Sequence, residues 1–493
     1  MEELVFSRAE FEAVLPSAIL FATGLLLLLM DTCFGDRDPN EDSSPKTHLV
    51  LTGVAGALLA FAALSVSAGD TSVRLFAGAM TDDLFGRFAA GIIILATLLT
   101  SLAAGGYLSG IGKHRGEFHA LIFLGAGAMV LLAQATNLIS IFVAVETLSL
   151  ALYVLAGYVR AWRESAEGAF KYFIMGAFSS GFLLLGMAFL YGASGGSIQL
   201  ADFGDGLDPV LGSVGTLLVI IGFAFKVGAV PFHSWVPDVY QGSPVLAAGW
   251  MAVAVKVASF AALLRLVMAT GDSANMAGLI MAIAVITMAL GNLAALNQTN
   301  LKRMLAYSGI AHSGYLMIPV GLALHEGSVN PKVLAGSLFY LAAYLVTTLG
   351  VFVALSSLKH GDRDCDTLDA IKGLGRRHPL IALAITLSMV SLAGIPLTGG
   401  FMGKYFIFRD AVLGGYWQLA VIGIVTSMVS IYYYLRPVVA MYFHEPSEKI
   451  EKVEAAWGLH LALGITSFGI LYLGVMPERL VALSLRSVER LGM

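Results

Sequence analysis

The sequence predicts an all-α integral membrane protein with about 14 transmembrane helices. Of its 493 residues, 58% are hydrophobic and only 13% are charged. A soluble protein of this length would need more polar surface to cover its core. Apolar runs of about 20 residues recur along the chain, and this is the length that crosses the hydrocarbon core of a bilayer.

Fourteen runs divide the chain, and the polar connections between them are too short to hold a soluble domain. We therefore expect residues 1–493 to form one polytopic membrane domain. The predicted spans are 13–34, 48–67, 83–108, 117–134, 137–159, 167–192, 209–238, 244–269, 275–297, 302–323, 333–357, 379–410, 415–443 and 456–477.

The loops predict the orientation of the chain. The first run follows an acidic leader, whereas a secretory signal has a basic one, so we expect a retained first helix. If the N-terminus lies outside the cytoplasm, more Lys and Arg residues lie in the cytoplasmic connections than on the outer side, where Arg87 and Arg265 are counted. The bias predicts that both termini lie outside the cytoplasm.

Charged residues inside the spans are the most informative feature. Lys226, Lys256 and Glu146 lie near the centres of apolar runs, and Lys404 follows a broken stretch in span twelve. A lysine at mid-membrane costs roughly 3 kcal/mol on insertion scales. Lys171 lies nearer the end of span six, where it can extend its amine to the interface.

Two interpretations compete for these charges. A static ion pair could hold two helices together, but one carboxylate cannot neutralise Lys226, Lys256 and Lys404 together. Amines that can gain and lose a proton beside water are what a proton relay needs. The pattern therefore favours a relay through these residues, with Lys171 in a peripheral role.

Two spans carry helix breakers beside their charge. Span seven contains Pro231 and Pro237, span twelve contains Gly394 and Pro396, and each run is too long for one straight helix. Proline removes a backbone donor, and the freed carbonyls must meet protein or water. The breaks lie five spans apart, which predicts two inverted five-helix units, spans 4–8 at 117–269 and spans 9–13 at 275–443.

Two histidines lie near the predicted relay. His233 flanks the prolines of span seven, and His312 lies inside span ten. A lone histidine on an apolar helix is more often a hydrogen-bonded packing residue than a relay group. His312 is the better candidate, because a relay from Lys256 to Lys404 must cross between the two units.

Three stretches give the sequence a specific resemblance. They are residues 225–244 (FKVGAVPFHSWVPDVYQGSP), 298–308 (QTNLKRMLAYS) and 391–405 (SLAGIPLTGGFMGKY). Together with the Glu146 helix and Lys256, they resemble the antiporter-like subunits of respiratory complex I over nearly the whole chain. The lysine in span twelve, and a chain that stops after span fourteen, most resemble the subunit N family of bacterial NADH-quinone oxidoreductase.

The resemblance implies a function and a role for each matching residue. Glu146 and Lys226 would form the ion pair of the half-channel through which protons enter. Lys256 would be the central relay, and Lys404 would feed the exit half-channel. The partners would be the other membrane subunits, including neighbouring antiporter-like ones. NADH, FMN, iron–sulfur clusters and quinone would be bound by other subunits, with no cofactor or metal on this chain.

Two alternatives stay open at this point. The chain could be the D component of a multisubunit sodium/proton antiporter, which shares the broken helices and the lysines. It could also be a non-conducting scaffold whose ion pairs only fix the register of the helices. Direct quinone chemistry fits poorly, since Cys33 and Cys365 lie far apart and no G-x-G-x-x-G follows a strand.

Overall fold

A computed structural model describes residues 7–34, 46–66, 73–204, 206–271, 274–325, 331–447 and 456–489. Within these residues the chain is almost entirely helical. The helices are α1 (Arg8–Phe34), α2 (Thr47–Ala63), α3 (Leu84–Gly110), α4 (Gly116–Gln134), α5 (Leu138–Ala156), α6 (Arg163–Ala193), α7 (Pro209–Val227), α8 (Trp235–Gly242), α9 (Val245–Trp250), α10 (Lys256–Ala269), α11 (Ala274–Ala295), α12 (Leu301–His325), α13 (Pro331–Ser356), α14 (Leu374–Arg377), α15 (Pro379–Ala393), α16 (Gly399–Leu413), α17 (Trp417–Phe443), α18 (Trp457–Val475) and α19 (Glu478–Glu489).

The helices form a membrane-type bundle, as the composition predicts. In the described part of the chain, eleven helices are long and apolar enough to cross a bilayer, and two shorter apolar ones are α2 and α15. A single or an interrupted helix lies at each of the fourteen predicted positions. Large apolar side chains such as Phe178 and Leu413 are exposed on the outside, where a bilayer would cover them. The count of fourteen spans stays a prediction.

The first break separates α7 from α8. Helix α7 ends at Val227, and Gly228 follows in the left-handed conformation, with φ of +71°. Glycine adopts this conformation without the steric cost that a β-carbon brings. Proline-containing turns then lead into α8, which begins at Trp235. The interruption predicted for span seven is therefore present.

The second break, in span twelve, has the same kind of ending. Helix α15 ends at Ala393, and Gly394 has a φ of +82°. Helix α16 begins at Gly399, after Thr398 accepts a hydrogen bond from the amide of Phe401 as its N-cap. The inverted relation of the two five-helix units stays a prediction.

Helix α10 continues α9 through a π-helical turn, Met251–Val255, so that residues 245–269 form one long, nearly fully buried helix. Such π turns are often found at functional sites, because the extra residue changes which side chains face inward. Lys256 follows this turn directly. The turn therefore sets the direction in which Lys256 projects.

Two short β-hairpins and the helix α19 lie in segments that the sequence predicted as loops or as chain end. Strand β1 (Val73–Leu75) pairs with β2 (Met80–Asp82), and β3 (Lys359–His360) pairs with β4 (Arg363–Asp364), both antiparallel. Helix α19 packs on α13 through its buried face. These elements are too short or too polar to give the 20-residue apolar signal from which the spans were predicted.

Two arginines that the orientation argument counted on the outer side form ion pairs within the folded bundle. Arg265 is only 2% exposed and donates to both carboxylate oxygens of Asp83, at 2.7 and 2.6 Å, and to the carbonyl of Ala133. Arg87 pairs with Asp82 at 2.6 Å. Charges neutralised inside the bundle say little about membrane orientation, so the periplasmic termini stay a prediction.

Candidate functional site: a line of buried amines

Three lysines point into the bundle. The exposed fractions of Lys226, Lys256 and Lys404 are 4%, 4% and 5%, so none of them faces the acyl chains of a bilayer. None lies within 4.0 Å of a carboxylate of the described residues. Each amine is held by hydroxyl or carbonyl oxygens instead.

Lys226 lies in the last turn of α7 and reaches α5. Its Nζ donates to the hydroxyl of Ser149 at 2.6 Å and lies 5.8 Å from the centre of the Tyr153 ring. Glu146 lies one turn before Ser149 on the same helix and accepts a hydrogen bond from Ser180 of α6. The direct Glu146–Lys226 ion pair implied by the resemblance is therefore not formed here, although the two charges interact electrostatically.

Lys256 forms hydrogen bonds both to the end of α7, at the first helix break, and to α12. Its Nζ donates to the carbonyl of Val227 at 3.1 Å, to the carbonyl of Gly309 at 2.6 Å, and to the hydroxyl of Ser313. Ser313 itself donates to the carbonyl of Val227 at 2.5 Å. A carbonyl that the break removes from the helical ladder is thus bonded to both an amine and a hydroxyl.

Lys404 has a matching place at the second break. Its Nζ donates to the carbonyls of Leu392 at 2.8 Å and Ala393 at 3.3 Å, which are the last two residues of α15. It also donates to the hydroxyl of Ser427 on α17 at 2.7 Å. A groove of about 540 Å³ lies between α16 and α17 and reaches this amine from the outside of the bundle.

His312 lies between Lys256 and Lys404, close enough to interact electrostatically with both. Its two ring nitrogens contact the hydroxyls of Tyr340 and Tyr434. The hydroxyl of Tyr434 also contacts Ser308, one turn before His312. The histidine therefore belongs to a connected set of groups that can donate and accept protons.

The remaining predicted residues lie away from this line. Lys171 pairs with Glu167 and with Asp238, each at 2.7 Å, and Asp238 also pairs with Arg303 at 2.6 Å. Its amine thus has two carboxylate partners outside the apolar interior, and neither is Glu146. His233 lies half-buried in the turn between α7 and α8, and none of its described contacts is with a relay lysine.

Sequence reasoning did not identify the hydroxyl partners of the charged groups. Each of the three relay lysines bonds one serine hydroxyl: Ser149 for Lys226, Ser313 for Lys256 and Ser427 for Lys404. Glu146 has Ser180. Their position inside long apolar runs was visible, but serine in such a helix commonly bonds its own backbone, as Ser149 does to Val145.

Comparisons with known proteins identify the family of this chain. The family model described as NADH:quinone oxidoreductase/Mrp antiporter, transmembrane, matches residues 135–430. NADH-quinone oxidoreductase subunit N of Trichlorobacter lovleyi is 37% identical over 494 residues, with 98% of each chain covered. The protein of the same name from Myxococcus xanthus is 38% identical over 503 residues, with 96% of each covered.

Solved structures show the same fold. A chain of respiratory complex I from Thermus thermophilus has a TM-score of 0.79 and 32% identity, with 95% of this chain and 98% of that chain covered. A chain of the Mrp complex from Dietzia sp. has a TM-score of 0.83 but 20% identity, so that likeness is one of fold alone. The chain belongs to the NADH:quinone oxidoreductase/Mrp antiporter transmembrane family and, within it, to the subunit N family of NADH-quinone oxidoreductase.

Proposed function

We propose that this chain translocates protons across the membrane as a subunit of NADH:quinone oxidoreductase, through a relay of Glu146, Lys226, Lys256, His312 and Lys404. The energy comes from quinone reduction in other subunits of the complex. Neighbouring membrane subunits, including antiporter-like ones, are its partners. We place the complex in the bacterial inner membrane with both termini of this chain in the periplasm.

One observation carries the proposal: the three buried amines are held by neutral oxygens rather than by carboxylates. A lysine locked to a carboxylate keeps its charge, whereas an amine held by hydroxyls and carbonyls can exist in either protonation state. A scaffold built on ion pairs would place carboxylates at these positions. The arrangement therefore supports a relay.

We propose the following order of steps for the relay. When Glu146 moves away from Lys226, the charged amine loses electrostatic support and its proton moves toward Lys256. From Lys256 the proton passes by His312 and its tyrosine hydroxyls to Lys404. Return of the Glu146 charge resets the first amine. The coupled groups titrate together rather than singly.

We further propose that this chain carries no redox site. NADH, FMN, iron–sulfur clusters and quinone are bound by other subunits, and this chain contributes the translocase part of the reaction. Its two cysteines, Cys33 and Cys365, have no spacing that could hold a cluster. The proposal assigns Lys171 and His233 to the periphery of the relay.

The sodium/proton antiporter alternative is less well supported. The relatives with 37% and 38% identity are subunits N of NADH-quinone oxidoreductase, whereas the Mrp chain is 20% identical. The antiporter shares the fold, but a shared fold does not determine which complex the chain joins.

Proton pumping by the reconstituted complex tests the proposal. Glu146→Gln and Lys226→Ala should each cut NADH-driven proton uptake into vesicles, with NADH oxidation measured in parallel. Lys372→Ala is the matched control, because Lys372 lies at the surface and pairs only with Asp369 among the described residues. Full pumping by both test variants would end the relay assignment.

A further inference from the structure

A polar cavity of about 130 Å³ lies at the end of the bundle, outside the line of buried amines. Its wall combines residues from α6, α8, α12 and the β3–β4 hairpin, and among them are Glu164, Gln241, Gly242, Lys302, Asp364 and Asp366. Arg363 and Glu164 stand on its rim, more than half exposed and 3.8 Å apart. The cavity is therefore open to the aqueous phase.

The floor of the cavity is a buried ionic cluster. The Nζ of Lys302 lies 3.0 Å from Asp364, 3.4 Å from Asp366 and 3.0 Å from the carbonyl of Ser243. Lys302 and Asp364 are almost completely buried, whereas Asp366 is partly exposed. The cluster thus connects the open cavity with the Ser243–Pro244 junction between α8 and α9.

A chain of hydrogen bonds leads inward from this cluster. The other carboxylate oxygen of Asp364 accepts from the hydroxyl of Tyr107 at 3.0 Å. That hydroxyl accepts from the amide of Val245, the first residue of α9, at 3.0 Å. Lys359 covers the same tyrosine from the hairpin and donates to the carbonyls of Gly106 and Tyr107. Asp364, in the cavity floor, is therefore linked through the Tyr107 hydroxyl to the start of the helix that carries Lys256.

Helix α8 contributes to the wall of this cavity and to that of a second one beside the relay amines. A second, small cavity of about 10 Å³ is lined by Lys226, Lys256 and Tyr240. Tyr240 precedes Gln241 and Gly242, which line the outer cavity. Since neighbouring helical residues rise by about 1.5 Å, residues of the same turn of this eight-residue helix line both cavities.

Two of the titratable groups at the cavity, Asp364 and Lys359, are displaced toward their neutral forms. Burial raises the pKa of the Asp364 carboxyl, against the opposing effect of Lys302. Burial also lowers the pKa of Lys359 to about 8, although Asp364 opposes this. The groups that face Asp364 are Lys302, Asp366, Tyr107 and Lys359. A carboxyl of this kind exchanges its proton closer to neutral pH than a solvated one.

We propose that this cavity is the vestibule through which protons from the aqueous phase reach Lys226 and Lys256, with Asp364 as the group that collects them. Lys302 and Tyr107 are positioning residues that hold the carboxyl between the cavity and α9. Helix α8 is the barrier that the proton crosses next. The inference rests on the proposed function, because it supplies protons to the same relay.

Blocking the vestibule from outside tests this directly. In the intact complex with Cys33→Ser and Cys365→Ala, Gln241→Cys places a thiol in the cavity wall, and His360→Cys places one on the exposed hairpin as a control. Vesicles with this face outward are treated with a charged, membrane-impermeant thiol reagent. The reagent should abolish most pumping of the Gln241→Cys variant, a thiol reductant should restore it, and the control should be unaffected.

Asp364→Asn and Asp364→Glu supply the second test. We expect a loss of pumping for asparagine and recovery for glutamate, since glutamate keeps a titratable carboxyl. If Asp364→Asn fails to assemble, the thiol experiment decides, because it compares one variant with and without the reagent. The proposal is overturned if modified Gln241→Cys pumps like its parent, or if assembled Asp364→Asn pumps like wild type.

These outcomes are distinct from failure of the relay itself. Normal pumping by Glu146→Gln and Lys226→Ala would refute the proposed function. If those variants lose pumping while Asp364→Asn and modified Gln241→Cys pump fully, the vestibule proposal is refuted and the relay proposal is not.

Discussion

The Nζ of Lys256 donates a hydrogen bond of 3.1 Å to the carbonyl oxygen of Val227, the last residue of α7. Lys404 does the same at 2.8 Å for Leu392 at the end of α15. The C-terminal carbonyls of a helix lack intrahelical donors and carry a partial negative charge, which favours a cation beside them. The protonation of each amine is thereby linked to the conformation of its break.

Ser427 should matter for the function of Lys404. Its hydroxyl accepts from the amine at 2.7 Å, and a hydrogen bond to a charged group contributes about 1.5–3 kcal/mol. We expect Ser427→Ala to slow proton pumping several-fold. Ser430→Ala is the matched control, because this buried serine of the same helix donates to the carbonyl of Ser427 and is not among the described hydrogen-bond partners of Lys404. Equal rates for the two variants would argue against the contact.

His312 should carry protons rather than only fill space. His312→Phe keeps a ring of similar size but removes both nitrogens, which contact Tyr340 and Tyr434. We expect pumping to fall sharply with normal assembly of the complex. His460→Phe on the exposed side of α18 should leave pumping unchanged. Normal pumping by His312→Phe would remove the histidine from the relay.

The buried pair of Asp83 and Arg265 should stabilise the fold. Removing one partner of such a pair leaves an uncompensated buried charge, which costs about 3–5 kcal/mol. We expect Asp83→Asn to lower the thermal inactivation midpoint of the purified complex. Glu12→Gln, which breaks the exposed Arg8–Glu12 pair, should have little effect. A similar midpoint for both variants would contradict the assignment.

Burial of the Lys359 amine should make the stability of the fold depend on pH. Burial lowers the pKa of its amine to about 8 from the usual 10.5. Between these pH values the unfolded chain binds a proton that the folded chain does not, so the free energy of unfolding rises with pH across this window. Below pH 8 the cost of burying the charge is fully present. Thermal midpoints should rise across the window for wild type relative to Lys359→Met; a constant difference would contradict the prediction.

Much of the fold and the relay lysines could be predicted from the sequence. Hydropathy places Lys226, Lys256 and Lys404 inside apolar runs, and glycine with proline marks both breaks. The Asp83–Arg265 pair could not be predicted, because its partners are 182 residues apart and pattern reasoning treats each loop charge alone. The roles of Ser149, Ser313 and Ser427 could not be predicted either, because they depend on which helices pack against each other.

The separation of Glu146 from Lys226 could not be predicted either. Depth in the membrane puts both charges near one level, which suggests a direct pair. In the folded chain, Ser180 and Ser149 take the two positions next to the charges. The distance between two side chains on different helices depends on the rotation of each helix, and hydropathy does not determine that rotation when most of the helix is apolar.

The most direct test of the relay uses the reconstituted complex with Lys256→Arg. The measurement is the number of protons moved per NADH oxidised. Arginine keeps the positive charge and can donate to the carbonyls of Val227 and Gly309, but it barely titrates. If the amine at this position must release and regain a proton, the ratio falls while the complex still assembles. An unchanged ratio would show that a fixed charge suffices, which would contradict the relay.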